Sequence, residues 1–588
     1  MSLSNRWAVG ASWTLAGVWL ALLWIEPHSM FWLCPDDSFY YFEIARNLAE
    51  GHGSTFDRIE QTNGYHPLWV AVCAPVFALG LDGFRAAQVL ITFQWILWCG
   101  VLYLLADVAR SGVGTFPAAC DPSKPSPDPI KNNNANKKDD ANEQGELNKK
   151  DDNKKDGANE QDEPKSRTLS EEDAATARRR LTFGLAAILA LTTAGPMVIK
   201  MFVNGMESGV YVPFYALLLW QAQRMKGDFL ENSTLAARLG LCALCVMCFL
   251  ARTDAGLLLL CFGVWNLPAA RRLGGWRGFL RLAQVFLVPF LTVVAFLAIN
   301  KAMFGTSMQV SGSLKRLPLG AWQVGATLGA FAVLAVVVWL FRGDMGEKFP
   351  RVKRFLLQTG WFGLFVLALV AYYVGFQRFP RTWHFGPAAC YGLMLLLLAY
   401  ADLLEGIMNE TKPDDSPVAP LLVVNGVVAV ALSVALLAQA GIAWNSGLIS
   451  MRRANLAASR WIDKNLPPDV VVGCWDTGVM GYFARQKVIN LDGFANSLDF
   501  VKAIQTNQTD EFLRKRKLAY FVNHDGVPGD TLRLQATQRV GKDRVARAVL
   551  LKEWPFDYAG STNREWFGTK KMAVYLYELP KDDPQESP

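Results

Sequence analysis

Apolar runs of bilayer length alternate with short polar loops from Trp7 to Ala443. The pattern predicts about eleven spanning helices: Trp7–Ile25, Phe84–Val108, Leu181–Ile199, Val210–Gln221, Leu235–Leu250, Ala255–Leu267, Leu282–Ile299, Trp322–Phe341, Phe355–Gly375, Pro387–Tyr400 and Leu421–Ala443. The stretch after the first span departs from it. From Ser38 to Gly51 the period is helical, with Glu43, Arg46, Asn47 and Glu50 on one face and Tyr41, Phe42, Ile44, Ala45 and Leu48 largely off it. Such a helix is expected to lie in the membrane interface with its polar face in water. Asn63–Gly64 then signals a turn, and Pro67 suits the first turn of a new helix. Pro67 to Gly80 is apolar but short for a crossing, and Pro75 interrupts it, so it reads as a second interfacial or half-inserted helix.

Two regions break the apolar rhythm. Within 111–178, Lys137–Lys138–Asp139–Asp140–Ala141–Asn142–Glu143–Gln144 recurs, with one change, as Lys154–Lys155–Asp156–Gly157–Ala158–Asn159–Glu160–Gln161. A repeat this poor in apolar residues cannot bury a core and is expected to be a disordered insertion. From about Gly447 the pattern turns soluble. A helix carrying Arg452, Arg453, Arg460 and Trp461 leads into strands at Val470–Cys474, Lys487–Leu491, Leu518–Val522 and Ala573–Tyr577, with a short helix at Thr477–Ala484. Helix and strand in alternation predict an α/β domain. The fold expected is thus a polytopic α-helical membrane protein, with two interfacial helices in its first outer loop and a C-terminal α/β soluble domain. Its divisions fall at 1–110, 111–178, 179–445 and 446–588.

Charge orients this arrangement. Of the 588 residues 52% are hydrophobic and 19% charged, below the roughly 25% of soluble domains. Arg178–Arg179–Arg180, the Arg271–Arg281 cluster and the basic loop from Arg342 to Arg354 fall on one side of the alternation, which the positive-inside rule makes cytoplasmic. Counting Pro67–Gly80 as a crossing would put the triple arginine outside. The amino terminus is then cytoplasmic and the C-terminal domain extracytoplasmic, in a multi-pass protein of the cytoplasmic (inner) membrane. The net charge of +7 fits basic inner loops, and no nucleic-acid-binding motif is present.

The outer loops hold the candidate chemistry. Asp36, Asp37, Glu207 and Asp254 are acids; Arg46, Arg252, Lys315 and Arg381 are cations; His66, His384, Trp69 and Trp383 add hydrogen bonding and aromatic surface. Taken singly, Asp36 and Asp37 read as helix caps and the cations as headgroup contacts. Taken together, cations on the outer side fit an anionic lipid-linked phosphate, whose leaving group gains charge in the transition state, and a carboxylate fits the proton acceptor for an attacking hydroxyl. Adjacent carboxylates with Glu207 are also of the type that binds a divalent metal, so Asp36, Asp37 and Glu207 form a possible ligand set; no cofactor is otherwise indicated. Cys242, Cys245 and Cys248 share a helical face without a histidine or acid beside them and read as core residues. Asp476–Thr477–Gly478 spells the aspartic-protease tripeptide, but it occurs in a single copy where that chemistry needs two carboxylates; it reads as a strand-to-helix turn with Asp476 as cap.

The order of these loops resembles the glycosyltransferase C superfamily, and most closely its aminoarabinose, protein O-mannosyl and arabinofuranosyl transferases. The resemblance rests on Asp36–Asp37 after the first span, the helix Ser38–Gly51 with Arg46–Asn47, Asn63–Gly64–Tyr65–His66–Pro67–Leu68–Trp69, Gly205–Met206–Glu207, Arg252–Thr253–Asp254, and Phe304–Gly305–Thr306 followed by Lys315. It covers most of residues 1–400, and the insertion at 111–178 has no counterpart in it. It implies a polyprenyl-phosphate-linked sugar donor, a glycan, lipid or protein hydroxyl as acceptor, and inversion at the anomeric carbon. It implies a catalytic Asp in the first outer loop, carried onto Asp36 or Asp37 with Asp36 the preferred base. Arg46, Arg252, Lys315 and Arg381 would hold the donor phosphate, and His66, Trp69, Glu207, Asp254 and His384 would bind substrate. The rival is a transporter or lipid flippase, which is expected to carry charges inside its spans, whereas here they gather at one membrane face.

Overall fold

The computed structural model describes residues 17, 20–112, 196–315, 320–377, 381–410, 427, 434, 448–506, 508–523, 531–532, 546–558 and 568–578. The expected spans Trp7–Ile25, Leu181–Ile199 and Leu421–Ala443 lie mostly outside these residues, as does nearly all of the 111–178 insertion.

The first outer loop folds into two helices. Helix α1 (Asp36–Ala49) starts after Pro35, with Asp36 and Asp37 in its first turn, where acids oppose the positive helix end. It stops where Gly51 adopts φ +83, with His52 N–H donating to the Asn47 carbonyl (2.8 Å) and Gly51 N–H to the Leu48 carbonyl (3.2 Å). These two bonds define a Schellman motif. Helix α2 (Pro67–Ala78) has proline at its first position and, at 12 residues, is too short to cross a bilayer. It packs along α1.

Among the described residues, five helical segments are long and apolar enough to cross a membrane, which marks a multi-pass membrane protein. They are the apolar part of α3 (Gly83–Gly112), α7 (Gly275–Phe304), α8 (Ala321–Arg342), α9 (Pro350–Phe376) and a segment, Thr382–Leu403, that includes much of α10 (Gly386–Glu410). The spans expected near 210, 235 and 255 form α4 (Ser208–Arg224), α5 (Leu235–Ala251) and α6 (Ala255–Leu273), each short of that standard. For α4 the reason is its place: it is flanked by α3, α5, α9 and α10, so protein rather than lipid surrounds most of it. On α7 and α8, by contrast, Phe290 and Phe331 are more than 60% exposed, as lipid-facing side chains are.

The C-terminal region opens with α11 (Leu448–Asn465) and carries a six-stranded sheet in the order β2-β1-β3-β6-β5-β4. Strands β1 (Val471–Cys474), β2 (Lys487–Asn490) and β3 (Leu518–Asn523) are parallel; β4 (Thr531–Leu532), β5 (Ala546–Tyr558) and β6 (Gly568–Glu578) continue it antiparallel. Alternation along the strands loads two cores. Val471 and Phe521 face helices α13 (Leu498–Gln505) and α14 (Thr509–Lys515), while Val472 and Val522 face α11. Strands β4 and β5 were not anticipated, because Pro555 and scattered charges disguise β5. Proline is tolerated there because β4 pairs only with Arg547 and Ala546, which leaves β5 an edge strand at Pro555 among the described residues.

The sheet region docks on the first outer loop through helix α12 (Gly478–Phe483), which packs on α1. Val479 and Tyr482 of α12 join the core that runs through the bundle, and Phe39 and Phe42 lie against Tyr482. Tyr482 Oη donates to the Gly83 carbonyl at 2.8 Å, Arg516 pairs with Glu60 at 2.6 Å, and Arg58 donates to the Arg485 carbonyl at 3.0 Å. This corrects the expected water-facing side of the first helix. Glu43 and Asn47 are buried: Asn47 Nδ2 donates to the Thr55 and Phe56 carbonyls (2.9 and 3.1 Å), Glu43 pairs with Arg46, and the Arg46 guanidinium lies over the Tyr482 ring. The returning loop and α12 occupy the face that the amphipathic pattern assigns to water.

Candidate functional site

Where the ends of the helices meet the sheet region, the loops frame a cavity of about 390 Å³. Asp37, Tyr40 and Tyr41 reach it from α1, His66 from the turn before α2, Glu207 from the start of α4, Arg252 and Asp254 from the α5–α6 connection, and Tyr373 and His384 from around the end of α9. Met308, Gln309, Lys315 and Phe494 are also part of the wall.

Arg252 is its electrostatic centre. At 2% exposure it donates through Nη1 to Glu207 Oε1 (2.9 Å), through Nε to Asp254 Oδ2 (2.7 Å) and through Nη2 to Tyr373 Oη (2.6 Å). Tyr373 Oη in turn donates to Asp254 Oδ2 at 2.7 Å. Burial alone would lower the Arg252 pKa, but the Asp254 carboxylate, with Tyr373, Tyr211 and Glu207, holds it well above its ordinary value. The guanidinium is thus permanently charged, and three of its five N–H donors are held by protein. Glu207 Oε2 and Asp254 Oδ1, by contrast, are buried acceptors with no donor. An unmatched buried acceptor costs about 1–3 kcal/mol, which a hydroxyl-bearing ligand would offset.

Histidine 66 is neutral. Burial, with Arg252 adding to it, pushes its pKa down to about 3. Gln309 Nε2 lies 3.1 Å from Nδ1 and the Thr253 N–H points to the same atom at 3.4 Å, so Nδ1 is the acceptor and the proton sits on Nε2. The 3.7 Å approach of Nε2 to Glu207 Oε1 is therefore a contact between a neutral ring and a carboxylate rather than an ion pair. His384 is set the same way: its Nδ1 accepts the Arg381 N–H at 3.1 Å and its ring stacks on Tyr373 at 4.2 Å.

The paired acids of the first loop divide. Asp37 lines the cavity, half-buried and without an ion-pair partner among the described residues. Asp36 points the other way. Its Oδ2 accepts from Gly478 N–H at 2.6 Å and its Oδ1 from Val479 N–H at 2.9 Å, so it caps α12 from 442 residues upstream. Burial, with Asp476 close by, pushes its pKa up to about 8. Asp36, preferred as base from the sequence, is thus turned away from the cavity. The contact also corrects the reading of Asp476 as cap: Asp476 sits at φ +44, and Thr477, at the N-cap position, makes no side-chain cap bond. Gly478 is required here, because a Cβ would lie 2.0 Å from the Asp36 carbonyl oxygen.

Among the cations, Lys315 and Arg252 reach the cavity. Arg46 is engaged by Glu43 and, at 3.0 Å, by Asp82, away from the cavity wall. Arg381 is exposed and outside the lining; its backbone N–H, which orients His384, is its link to the site. Trp69 is fully buried, with its indole N–H donating to the Gly205 carbonyl at 2.8 Å, a bracing role rather than a substrate contact. Asp36, Asp37 and Glu207 are not assembled into a ligand set: among the described residues no three His, Cys, Asp or Glu side chains are placed to hold a metal ion. Tyr373, Gln309 and Phe494 escaped the sequence reading. Tyr373 sits in an apolar run, Phe494 is a lone aromatic in a polar turn, and Gln309 lies in a loop without charge, so none carries a signal of its own.

A family model described as a domain of unknown function (DUF8728) matches residues 446–575, the sheet region. Among curated proteins none matches the sequence. Two solved structures align along nearly the whole chain. ArnT from Cupriavidus metallidurans bound to undecaprenyl phosphate is 13% identical, with 94% of this chain and 97% of that chain covered and a TM-score of 0.40. The same protein in the apo state is 14% identical, with 95% and 98% covered and a TM-score of 0.39.

Proposed function

We propose that this chain is an inverting glycosyltransferase that moves a sugar from a polyprenyl-phosphate donor to a hydroxyl acceptor at the outer face of the cytoplasmic membrane. The reading is carried by one observation: a carboxylate, Asp37, and a cation, Lys315, neither with an ion-pair partner among the described residues, line the same cavity beside a set of membrane-length helices. The loop order that resembles the glycosyltransferase C superfamily supports it, with the C-terminal domain on the extracytoplasmic side.

In this reading Asp37 takes the proton of the acceptor hydroxyl as its oxygen bonds to the anomeric carbon. The bond from that carbon to the phosphate oxygen breaks in the same displacement, its electron pair leaves with the phosphate, and the configuration inverts. Lys315 meets the charge that develops on the phosphate, and Arg252 adds a fixed positive field behind it. Glu207 Oε2 and Asp254 Oδ1 accept from sugar hydroxyls, and the protonated Nε2 atoms of His66 and His384 serve the same polar wall. Asp36, Arg46 and Trp69 act on the fold of the site.

Mass analysis of cell-envelope glycans tests this. Deletion of the gene is expected to remove one sugar modification, the wild-type gene to restore it, and Asp37→Asn to fail while the protein still accumulates in the membrane. Full restoration by Asp37→Asn would overturn the assignment of the base; an unchanged glycan profile after deletion would overturn the activity.

A further inference from the structure

Among the described residues that line the cavity, Phe494 alone comes from the C-terminal sheet region. It sits in the loop between β2 and α13, and that loop is held on both sides. Inside it, Asn496 Nδ2 donates to the Asn490 carbonyl at 2.8 Å and Ala495 N–H to Asn490 Oδ1 at 3.3 Å. From the first outer loop, Thr62 Oγ1 donates to the Asn496 carbonyl at 2.8 Å. Gly64 passes so close that a Cβ there would lie 2.1 Å from the Phe494 carbonyl oxygen. The backbone beneath the ring is therefore fixed.

The Lys315 ammonium lies 4.4 Å from the centre of that ring. Lys315 is half-buried and has no carboxylate partner among the described residues, whereas Arg252 is tied to two carboxylates, Glu207 and Asp254, and to Tyr373. A lysine stem is flexible, and an unpaired ammonium is drawn toward bulk water. The negative face of an aromatic ring offers it a second place to rest without neutralising it.

We infer that Phe494 is a positioning residue for Lys315, its ring holding the ammonium in the cavity so that it meets the donor phosphate. The C-terminal domain thereby tunes how tightly the membrane site grips a lipid phosphate. This rests on the donor proposed above.

Full-length protein in nanodiscs, titrated with undecaprenyl phosphate as the probe, tests it. Phe494→Leu is expected to weaken binding about two- to thirtyfold, the range of a cation–ring contact from exposed to desolvated. Phe494→Tyr recovers most of the loss. Lys315→Ala weakens binding at least as much as Phe494→Leu, and the double variant is no weaker than Lys315→Ala alone. Equal affinity of wild type and Phe494→Leu, or additive losses in the double variant, overturns the inference. A second measurement needs no lipid. After reductive ¹³C-methylation, the Lys315 signal, identified by its absence in Lys315→Arg, is expected to be ring-shifted in wild type and to move in Phe494→Leu. A ring-shifted signal in a protein that does not bind the probe overturns the lipid-phosphate donor and, with it, the role of Phe494 in gripping phosphate. An unshifted signal in a protein that binds the probe overturns the role of Phe494 and leaves the donor standing.

Discussion

The cavity and the domain junction are one residue apart on α1, and they treat a carboxylate in opposite ways. At the junction, both oxygens of Asp36 are taken by backbone N–H groups of α12 and the side chain is 7% exposed. In the cavity, among the described residues, Asp37 is left without an ion-pair partner and Glu207 and Asp254 each keep one oxygen unmatched. Where polar groups only hold a structure together they are paired, because an unpaired one costs stability. Buried unmatched atoms occur elsewhere among the described residues too, Asn47 Oδ1 and Arg58 Nε beside the junction included, but in the cavity they belong to two carboxylates that line the same open space. Groups left unmatched in this way are available to a ligand.

That contrast is open to direct attack, and the largest effect tests it first. Asp37→Asn is expected to lower the transfer rate by about 10²–10⁴-fold, the usual worth of a general base, with no loss of thermal stability. Asp36→Asn should do the reverse. Comparable rate losses for the two variants, both fully folded, would erase the distinction between the two carboxylates.

Arg252→Ala strands two buried carboxylates and is expected to cost about 3–5 kcal/mol of stability, seen as a lower melting temperature in detergent. Lys315→Ala is expected to leave the melting temperature unchanged and raise the KM for the lipid donor. Gly478→Ala drives a Cβ to 2.0 Å from the Asp36 carbonyl oxygen, and forcing volume into a packed contact costs about 1–3 kcal/mol. A lower melting temperature in detergent is the measurement that reports such loosening.

The smallest effect is in pH. Burial holds Asp36 at about 8 and Glu43 at about 7 in the folded protein, whereas unfolded carboxylates release their protons near pH 4. The folded state then binds more protons than the unfolded one between about pH 4 and 8, so these two groups make stability fall as pH rises through that window. His66, at about 3 when folded against about 6.5 unfolded, acts with the opposite sign below about pH 6.5. Between about pH 6.5 and 8 the carboxyl groups act alone. There the melting temperature of wild type should fall with pH more steeply than that of Asp36→Asn; parallel slopes would place Asp36 elsewhere.

Much of this fold was legible from period alone. Apolar length located the membrane helices, Pro67 and Gly51 marked a start and a stop, and the strands β1, β2, β3 and β6 stood out as apolar runs. What period cannot say is which element covers a polar face. Glu43 and Asn47 repeat as a water-facing stripe does, and the groups that bury them are the loop at 54–58 and α12, the latter more than 400 residues away in sequence. Asp36 was legible as a cap and as an acid but not as the cap of a distant helix, because nothing local distinguishes it from Asp37. The cations looked equivalent for a similar reason. Their difference lies in their partners: Glu43 and Asp254 are neighbours in sequence, but Asp82 and Glu207 are brought by tertiary contacts that nothing local announces.

The bond from Asp36 to Gly478 also has a meaning in time. Its two ends are 442 residues apart, and at about 5–20 residues per second a ribosome needs roughly 20–90 seconds to travel from one to the other. For that interval the first helix is already made while its brace has yet to be synthesised. Nascent chains thus wait with Asp36 and the Tyr40 face uncovered, and any chain that stops short of α12 leaves them so. A segment made late locks a segment made early, so the pocket reaches its finished shape only on a chain whose synthesis has run past α12.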